Sequence, residues 1–294
     1  MRYRDYSAFL SEHFGTKVQK IAVNAGFTCP NRDGTLGTGG CTFCCNEAFN
    51  PPYCDAQLSI TEQLERGKAF FARKYRKMDY LAYFQAFSNT YAPVGRLRAM
   101  HDEALAVDGV VGIVIATRPD CLGDDIVDYL ATLASRSHLV VELGVESLHD
   151  TTLQAVNRCH NSATSIAAIE RLAARGITVG VHLILGLPGE DEAMMTATVE
   201  AISALPVSLV KFHQMQVING TRLARQLEAG EVSLMRFTAR EYAALCARLL
   251  GHLRHDIAVE RFVSQSPRSM VVAPCWNLKP GEFATLLNNN INEI

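Results

Sequence analysis

The chain has 294 residues, with 28 Lys and Arg against 30 Asp and Glu, a formal charge of −2 and a pI near 6.5. With 48% hydrophobic and 20% charged residues, it is an ordinary globular composition that can bury a sizeable core, as one large α/β domain or two smaller ones. There is no basic excess to support broad nucleic-acid binding, and no apolar run approaches the roughly 18 residues of a membrane span.

The first strand-like run covers residues 18–27, and short apolar runs then alternate with amphipathic helical stretches. The further predicted strands are 80–87, 110–116, 138–145, 177–185 and 207–217. The helices predicted between them are 59–75, 94–106, 124–135, 150–175 (broken near Asn161) and 191–204. Ser59 and Glu62 have the spacing of a capping box that opens the first of these helices.

After Thr221 the pattern changes to helices at 222–228, 239–252 and 280–290, with a possible strand at 257–264. Alternating strands and helices predict right-handed parallel β/α units. Six units fit a partial or complete TIM barrel, and a doubly wound open sheet is the competing architecture. We expect a core of residues 1–220, a C-terminal α+β extension of residues 221–294 packed on it, and functional loops at the carboxyl ends of the strands.

Nine cysteines, five of them between positions 29 and 54, indicate metal chemistry. The polar start at residues 1–6 is not a signal core, so the cysteines also favour a reducing cytoplasm over a disulfide framework.

Three of these cysteines, Cys29, Cys41 and Cys44, lie in one glycine-rich loop directly after the first predicted strand. Three thiolates can hold an iron–sulfur cluster and leave one iron open to a substrate or cofactor. A structural zinc site is the alternative, with Cys45, Cys54 or His13 as the fourth ligand. The spacing alone does not decide between the two.

The amino-acid sequence of the loop is more specific than the cysteine spacing, because CPNRDGT followed by GGCTFC resembles the YhcC-type radical S-adenosylmethionine (SAM) proteins. That family is related to the radical domain of the Elongator catalytic subunit and, more distantly, to oxygen-independent coproporphyrinogen dehydrogenase. The resemblance continues through 83–93 (YFQAFSNTYAP), 116–122 (ATRPDCL), 142–147 (ELGVES) and 182–190 (HLILGLPGE), and it covers about residues 14–280.

The resemblance implies a 4Fe–4S cluster on Cys29, Cys41 and Cys44, with the amino and carboxylate groups of SAM on the fourth iron. The reduced cluster would cleave SAM to methionine and a 5′-deoxyadenosyl radical, which would abstract a hydrogen atom from a substrate. Such an enzyme is oxygen-sensitive and needs a reductant such as flavodoxin or ferredoxin. The protein would supply positioning and a site that excludes water.

The resemblance also suggests SAM contacts after the second and third strands. Ser88 and Asn89 lie where relatives orient the amino group of methionine, although a capped turn before Pro93 gives the same pattern. Thr117 and Arg118 end the third strand, where Arg118 can hold an anion and Asp120 can cap the next helix. Related enzymes often carry a ribose-binding Glu where this chain has Ala116, so that contact is in doubt.

Glu142 and Glu146 lie four apart at the end of the fourth predicted strand, so both should face the same side, and we expect both to have a role at the cofactor. Relatives contact SAM from the positions of Glu146 and Arg158, and an internal salt bridge between these two residues is the alternative. His182, in the apolar fifth strand, is either a core histidine or a residue on the adenosine side of the pocket. The turn at 186–190 offers its backbone to the adenine, or Glu190 merely caps the helix.

The substrate side is less defined, with Lys211, His213, Gln214 and Arg268 as candidates and no residue predicted to be catalytic. An RNA substrate and a small metabolite both remain open. A zinc-stabilised binding protein and a SAM sensor are the alternatives of another class. Six cysteines have no predicted role: Cys45, Cys54, Cys121, Cys159, Cys246 and Cys275.

Overall fold

A computed structural model describes residues 3–72, 78–264 and 266–293 of the chain. Parts of the predicted segments lie outside these residues: positions 1–2 of the polar start, the end of the first predicted helix at 73–75, and positions 265 and 294 of the predicted C-terminal extension.

The described residues contain a sheet of eight parallel strands with the order β1-β9-β7-β6-β5-β4-β3-β2. Its strands are β1 (Arg4–Asp5), β2 (Val18–Val23), β3 (Asp79–Phe84), β4 (Val110–Thr117), β5 (His138–Glu146), β6 (Thr178–Leu185), β7 (Leu209–Gln214) and β9 (Ala258–Arg261). A separate antiparallel pair joins β8 (Val217–Ile218) to β10 (Val271–Ala273). The central strands are near-continuous apolar runs because parallel sheets bury both faces.

Helices connect the strands in the order that the sequence predicts. They are α1 (Tyr6–His13), α2 (Ile60–Ala72), α3 (Val94–Leu105), α4 (Asp124–Ala134), α5 (Asp150–Ala155), α6 (Ser162–Ala174), α7 (Glu192–Ala204), α8 (Arg222–Glu228), α9 (Ala239–Leu250) and α10 (Pro280–Glu293). The predicted break near Asn161 is confirmed, because the Asn161 side chain accepts from the Thr164 amide and starts α6. The capping box is confirmed too: Glu62 N–H donates to Ser59 Oγ (3.1 Å), and Ser59 N–H donates to Glu62 Oε2 (2.9 Å).

The sheet curls strongly, which decides between the two predicted architectures. Six strand steps separate β2 from β9, and at about 4.8 Å per step a flat sheet would hold them roughly 29 Å apart. Yet Lys20 Nζ on β2 lies 2.5 Å from Glu260 Oε2 on β9. The fold is therefore a partial TIM barrel of six β/α units with added strands, and the flat doubly wound sheet is excluded.

Several predicted strand ends were wrong for local reasons. β2 ends at Val23, not at residue 27, because the buried Gln63 side chain takes both hydrogen bonds of the Asn24 backbone (2.8 and 3.0 Å). β3 ends at Phe84, and Phe87, at the predicted end, has a left-handed φ of 64°. The last predicted core strand divides into β7 and β8, which belong to different sheets.

The two added strands come from the ends of the described chain. β9 lies within residues 221–294 and pairs in parallel with β7, and β1 pairs with β9. β1 has only two residues, too short for any hydrophobic pattern to reveal it. Among the described residues, no helix is long and apolar enough to cross a membrane.

Candidate functional site

The cysteine loop follows β2 at the carboxyl edge of the sheet and is folded around the buried Asn31. The Asn31 side chain donates to Asn157 O (2.5 Å), and its Nδ2 lies 3.7 Å from Cys41 Sγ. The backbone carbonyl of Asn31 accepts from Gly40 N–H (2.8 Å). Gly40 has a φ of +78°, and an added Cβ there would lie 2.9 Å from Arg32 Nε. The loop therefore requires glycine at this turn next to the cysteines.

Donor groups surround the predicted cluster thiols. Arg158 Nη1 lies 3.5 Å from Cys41 Sγ, and Asn46 Nδ2 lies 3.5 Å from Cys44 Sγ. Burial raises the pKa of Cys44 to about 11, Cys41 adds to the rise, and Arg32 opposes it. The thiolate form of Cys44 therefore needs a cation beside it, as thiol ligands of metals do.

All three cysteines line one cleft of about 1300 Å³, part of it open to solvent. Seven of the predicted cofactor residues line the same cleft: Ser88, Thr117, Arg118, Glu142, Glu146, Arg158 and His182. Asn89 lies behind this surface, where its Nδ2 donates to Ala116 O (2.8 Å). The fold thus brings together residues from six separate stretches of sequence.

Several buried polar atoms around the cleft have no hydrogen-bond partner within the described ranges: Ser88 Oγ, Asn89 Oδ1, Arg118 Nη1 and Arg158 Nε. Orphaned groups of this kind are rare in native proteins. Two are acceptors suited to an ammonium group, and two are guanidinium donors suited to a carboxylate. The set matches the two chelating groups of SAM, so the residues present fit the predicted cofactor.

Arg118 forms a two-pronged ion pair with Asp120, from Nε to Oδ1 at 2.8 Å and from Nη2 to Oδ2 at 2.6 Å. The prediction that Asp120 caps the next helix was wrong, because α4 begins after Gly123 and the Asp120 carboxylate is committed to Arg118. Glu190 likewise does not cap α7. It is buried and accepts from Ser147 Oγ, while Asp191 provides the cap.

Glu146 and Arg158 form the predicted salt bridge, but at 3.4 Å it is longer than the 2.7–2.9 Å typical of charge-assisted hydrogen bonds. Glu146 has a left-handed φ of 66°, rare for a residue with a side chain, and it follows a bulge against β6. Burial raises the pKa of its carboxyl, and Arg158 offsets this only in part. Glu146 is thus a strained, incompletely paired carboxylate, a feature that concentrates at functional sites.

Glu142 has a different environment, a buried ion network on the floor of the cleft. Its carboxylate accepts from Lys20 (2.7 Å), Lys211 (2.6 Å) and His182 (2.9 Å). Glu260 completes the network by pairing with Lys20 and with Lys211 (3.1 Å). Burial alone would raise the pKa of Glu142, but the two lysines outweigh it and hold the pKa well below its usual range.

Sequence reasoning missed Lys20 and Glu260 in this network. The available signal was a lysine inside the apolar strand 18–23, where a buried cation requires a partner. Among the predicted substrate-side residues, His213 and Gln214 line the cleft, whereas Arg268 lines a neighbouring cavity.

In the ranges that the structure covers, no three Cys, His, Asp or Glu side chains are grouped closely enough to share one metal ion. A cluster does not require such a group, because each thiolate bonds to a different iron. The six cysteines without a predicted role are spread over the fold. Cys246 is buried in α9, and the Cys54 thiol donates to Ala22 O (2.9 Å).

Comparison with known proteins identifies relatives of the whole chain. Residues 28–202 match the Radical SAM superfamily, and residues 207–293 match the Radical_SAM C-terminal domain. The YtqA protein of Bacillus subtilis (strain 168) is 38% identical over 290 residues, which cover 99% of this chain and 89% of that protein. The YhcC protein of Escherichia coli (strain K12) is 35% identical over 268 residues, 91% of this chain and 85% of that protein.

A solved structure shows the same fold. It is the archaeal Elp3 of Methanocaldococcus infernus lacking its N-terminus, with a TM-score of 0.69 at 17% sequence identity. The match covers 95% of this chain but only 63% of the Elp3 chain.

Proposed function

The chain belongs to the YhcC-type radical SAM family, whose enzymes use a 4Fe–4S cluster and SAM, and we propose that both bind in the cleft at the carboxyl edge of the sheet. The observation that carries this proposal is the shared lining of the cleft, where Cys29, Cys41 and Cys44 meet unpartnered donors and acceptors. When bound, the reduced cluster supplies the electron that cleaves SAM to methionine and a 5′-deoxyadenosyl radical, which takes hydrogen from a substrate.

In this proposal the three cysteines are the cluster ligands and Arg158 stabilises their negative charge. Its Nη1 lies against Cys41 Sγ, and its Nη2 is fixed by Gly144 O. Burial by itself lowers the pKa of Arg158, but Cys41 and Glu146 outweigh this effect and raise the pKa above its usual value, so the guanidinium stays charged. A fixed cation beside a thiolate ligand favours the deprotonated form that a metal requires.

Four further groups are proposed to hold SAM through its amino acid end. Ser88 Oγ and Glu146 offer acceptors to the ammonium group from the cleft lining, and the unpartnered Asn89 Oδ1 supports them from behind it. The free Nη1 of Arg118 joins Arg158 Nε as a donor to the carboxylate. Thr117 supports this set, because its hydroxyl is paired with Thr90 Oγ1 (2.6 Å) on the buried side. His182 lines the same cleft from β6 and is proposed for the adenosine side.

Glu142 is proposed as a positioning residue. Three protein donors already use its two oxygens, which leaves little capacity for SAM. Its effect would be to fix His182 in the cleft lining and Lys211 in the buried network behind it.

We also propose that residues 1–220 form the core and residues 221–294 an extension that completes the cleft wall with β9. A cytoplasmic location agrees with the cysteines, since all nine lie within the described ranges and none is in a disulfide. The electron is proposed to come from a reductant such as flavodoxin or ferredoxin.

The test is anaerobic reconstitution with iron and sulfide, followed by dithionite and SAM, with 5′-deoxyadenosine measured by chromatography. Cys41→Ala should lose the product, whereas Cys275→Ala should keep it, because the Cys275 thiol is exposed in the C-terminal extension. About four irons with acid-labile sulfide per wild-type chain should accompany the product.

The alternatives give different outcomes in the same experiment. One zinc and no sulfide would support a zinc-stabilised binding protein. An intact cluster that binds SAM without releasing 5′-deoxyadenosine would support a SAM sensor. Salt-dependent retention on total transfer RNA would favour an RNA substrate over a small metabolite.

A further inference from the structure

Part of the cleft is lined by residues of β6, β7, β9 and the loop that follows β9. We call this surface the far wall and define it as His182, His213, Gln214, Arg261 and Ser264, all of which line the cleft. None of these residues belongs to the set proposed for the cluster or for the amino acid end of SAM, and only His182 is proposed to contact SAM, on the adenosine side.

Arg261 faces the cleft because β9 contains a bulge. Val210 of β7 pairs with Val259, and Lys211 pairs with Arg261, so Glu260 is the extra residue. In a regular strand Glu260 and Arg261 would point to opposite faces. Here Glu260 contacts the two buried lysines, and Arg261 lines the same interior. Bulges commonly redirect a side chain next to a functional site.

Hydrogen bonds fix the backbone that follows Arg261. The loop after β9 is tied to β7 by the Gln214 side chain, which donates to Ser264 O (2.9 Å) and accepts from Ser264 N–H (2.6 Å). The Tyr242 hydroxyl donates to Phe262 O (2.8 Å) immediately beyond Arg261. A binding residue on such a fixed backbone loses little entropy when it engages a ligand.

The Arg261 guanidinium has no hydrogen bond or ion pair with any residue that the structure describes. The neighbouring ion network pairs its two lysines, Lys20 and Lys211, with its two carboxylates, Glu142 and Glu260. Both carboxylates are taken by the lysines, so neither one pairs with Arg261.

The two histidines of the far wall, His182 and His213, are neutral and provide no negative charge to pair with Arg261. Burial lowers the pKa of His182 to about 4 and holds the pKa of His213 well below its usual range, with Arg261 contributing to the lowering at His213. His213 Nδ1 is paired with Ser264 Oγ, and its Nε2 is buried without a partner in the described part of the chain. A neutral imidazole and an unpaired guanidinium form a surface suited to an oxyanion.

We propose that Arg261 is the substrate-recognition residue of this cleft and that the substrate is a small molecule with a carboxylate or phosphate group that pairs with its guanidinium. The word substrate rests on the proposed radical SAM function, whereas the oxyanion site stands on the geometry of the far wall alone. A small molecule is favoured over RNA because the unpaired charge lies within the barrel, beside the buried ion network, while the chain as a whole carries a charge of −2.

The test measures oxyanion binding to the reconstituted holoprotein by calorimetry at constant ionic strength, without reductant and both with and without saturating SAM. Binding at the carboxylate donors proposed on Arg118 and Arg158 is then recognised by its competition with SAM. Inorganic phosphate and malonate are the two probes, and potassium chloride sets the ionic strength. Wild type should bind at least one of them saturably, and the preference between them should identify the phosphate or carboxylate class.

Arg261→Gln should weaken that binding at least tenfold, and Arg261→Lys should recover part of it, because a lysine keeps the charge but loses the planar fork. Arg248→Gln is the matched control. It removes a guanidinium that pairs with Glu192 on the outer surface, and binding should stay as in wild type. Thermal unfolding of each variant checks that the fold is kept.

Equal binding of phosphate and malonate to wild type and Arg261→Gln would overturn the proposal. So would retention on transfer RNA that depends on Arg261 when neither small anion binds. Production of 5′-deoxyadenosine by the wild type is measured separately, so loss of the radical function and loss of the oxyanion site would be told apart.

Discussion

Replacement of Glu142 by Gln tests the buried ion network most directly. The Glu142 carboxylate is 1% exposed and accepts from Lys20, Lys211 and His182. The amide keeps the shape but replaces one acceptor oxygen by a donor NH₂, and it leaves two buried lysines facing the single carboxylate of Glu260. Removal of one partner of a buried ion pair costs about 3–5 kcal/mol.

This loss converts into a measurable shift of the unfolding temperature. At about 2.1 cal/mol/K per residue, the unfolding entropy of 294 residues is roughly 0.6 kcal/mol/K, so Tm should fall by about 5–8 °C. The assay is thermal unfolding of the reconstituted protein under anaerobic conditions. Glu200→Gln is the control, because it removes an exposed partner of His252 and should cost no more than about 0.5 kcal/mol.

A double variant tests the same network more strictly. Glu142→Gln combined with Lys211→Met restores the balance of buried charges, because Lys20 stays paired with Glu260. The double variant should therefore lose less than the sum of the two single losses, with a coupling of at least 1 kcal/mol, on the order expected for residues of one network. A Tm for Glu142→Gln within about 1 °C of wild type, or strictly additive losses, would refute the reasoning.

Three other perturbations have defined outcomes. Burial lowers the pKa of His101 to about 4, so the neutral imidazole contributes fully to stability above pH 6.5, and this contribution is lost as the pH falls toward 4. Between pH 7.5 and 5, the free energy of unfolding in urea should therefore fall by about 2 kcal/mol less in His101→Gln than in wild type. Gly144→Ala would put a Cβ 2.7 Å from both Arg158 Nη2 and Glu146 Oε1, so SAM binding by equilibrium dialysis should weaken at least tenfold, and unchanged binding would remove this pair from the proposed site. Asn161→Ala removes the N-cap of α6 and should cost about 1 kcal/mol in urea unfolding, while Asn161→Ser should keep most of that stability.

The sequence predicted features that depend on nearby residues. The capping box at Ser59 and the cap at Asn161 involve contacts three residues apart, and the β/α alternation follows from local hydrophobic periodicity. The cysteine loop is also local, since its three thiols lie within 16 residues. Motifs at the ends of parallel strands could be assigned to one edge, because the carboxyl ends of such strands meet there.

Features that depend on curvature and register could not be read in this way. The pairing of Lys20 with Glu260 joins residues 240 apart and exists only because the sheet curls. The direction of Arg261 depends on a one-residue bulge in β9, which ordinary alternation cannot reveal. Asp120 was assigned to a helix cap because its position suited one, but the neighbouring Arg118 competes for the same carboxylate and prevails.

The pairing of β1 with β9 has a consequence for synthesis of the chain. Arg4 lies opposite Ala258, so the first strand has no partner in the sheet until the ribosome has made more than 250 further residues. At about 5–20 residues per second this delay is on the order of 10–50 s. During that interval the six core strands can already assemble, with the β7 edge uncovered and Lys20 lacking Glu260. The nascent protein therefore passes through a state with an open edge strand, and release of the C-terminal segment is the event that closes it.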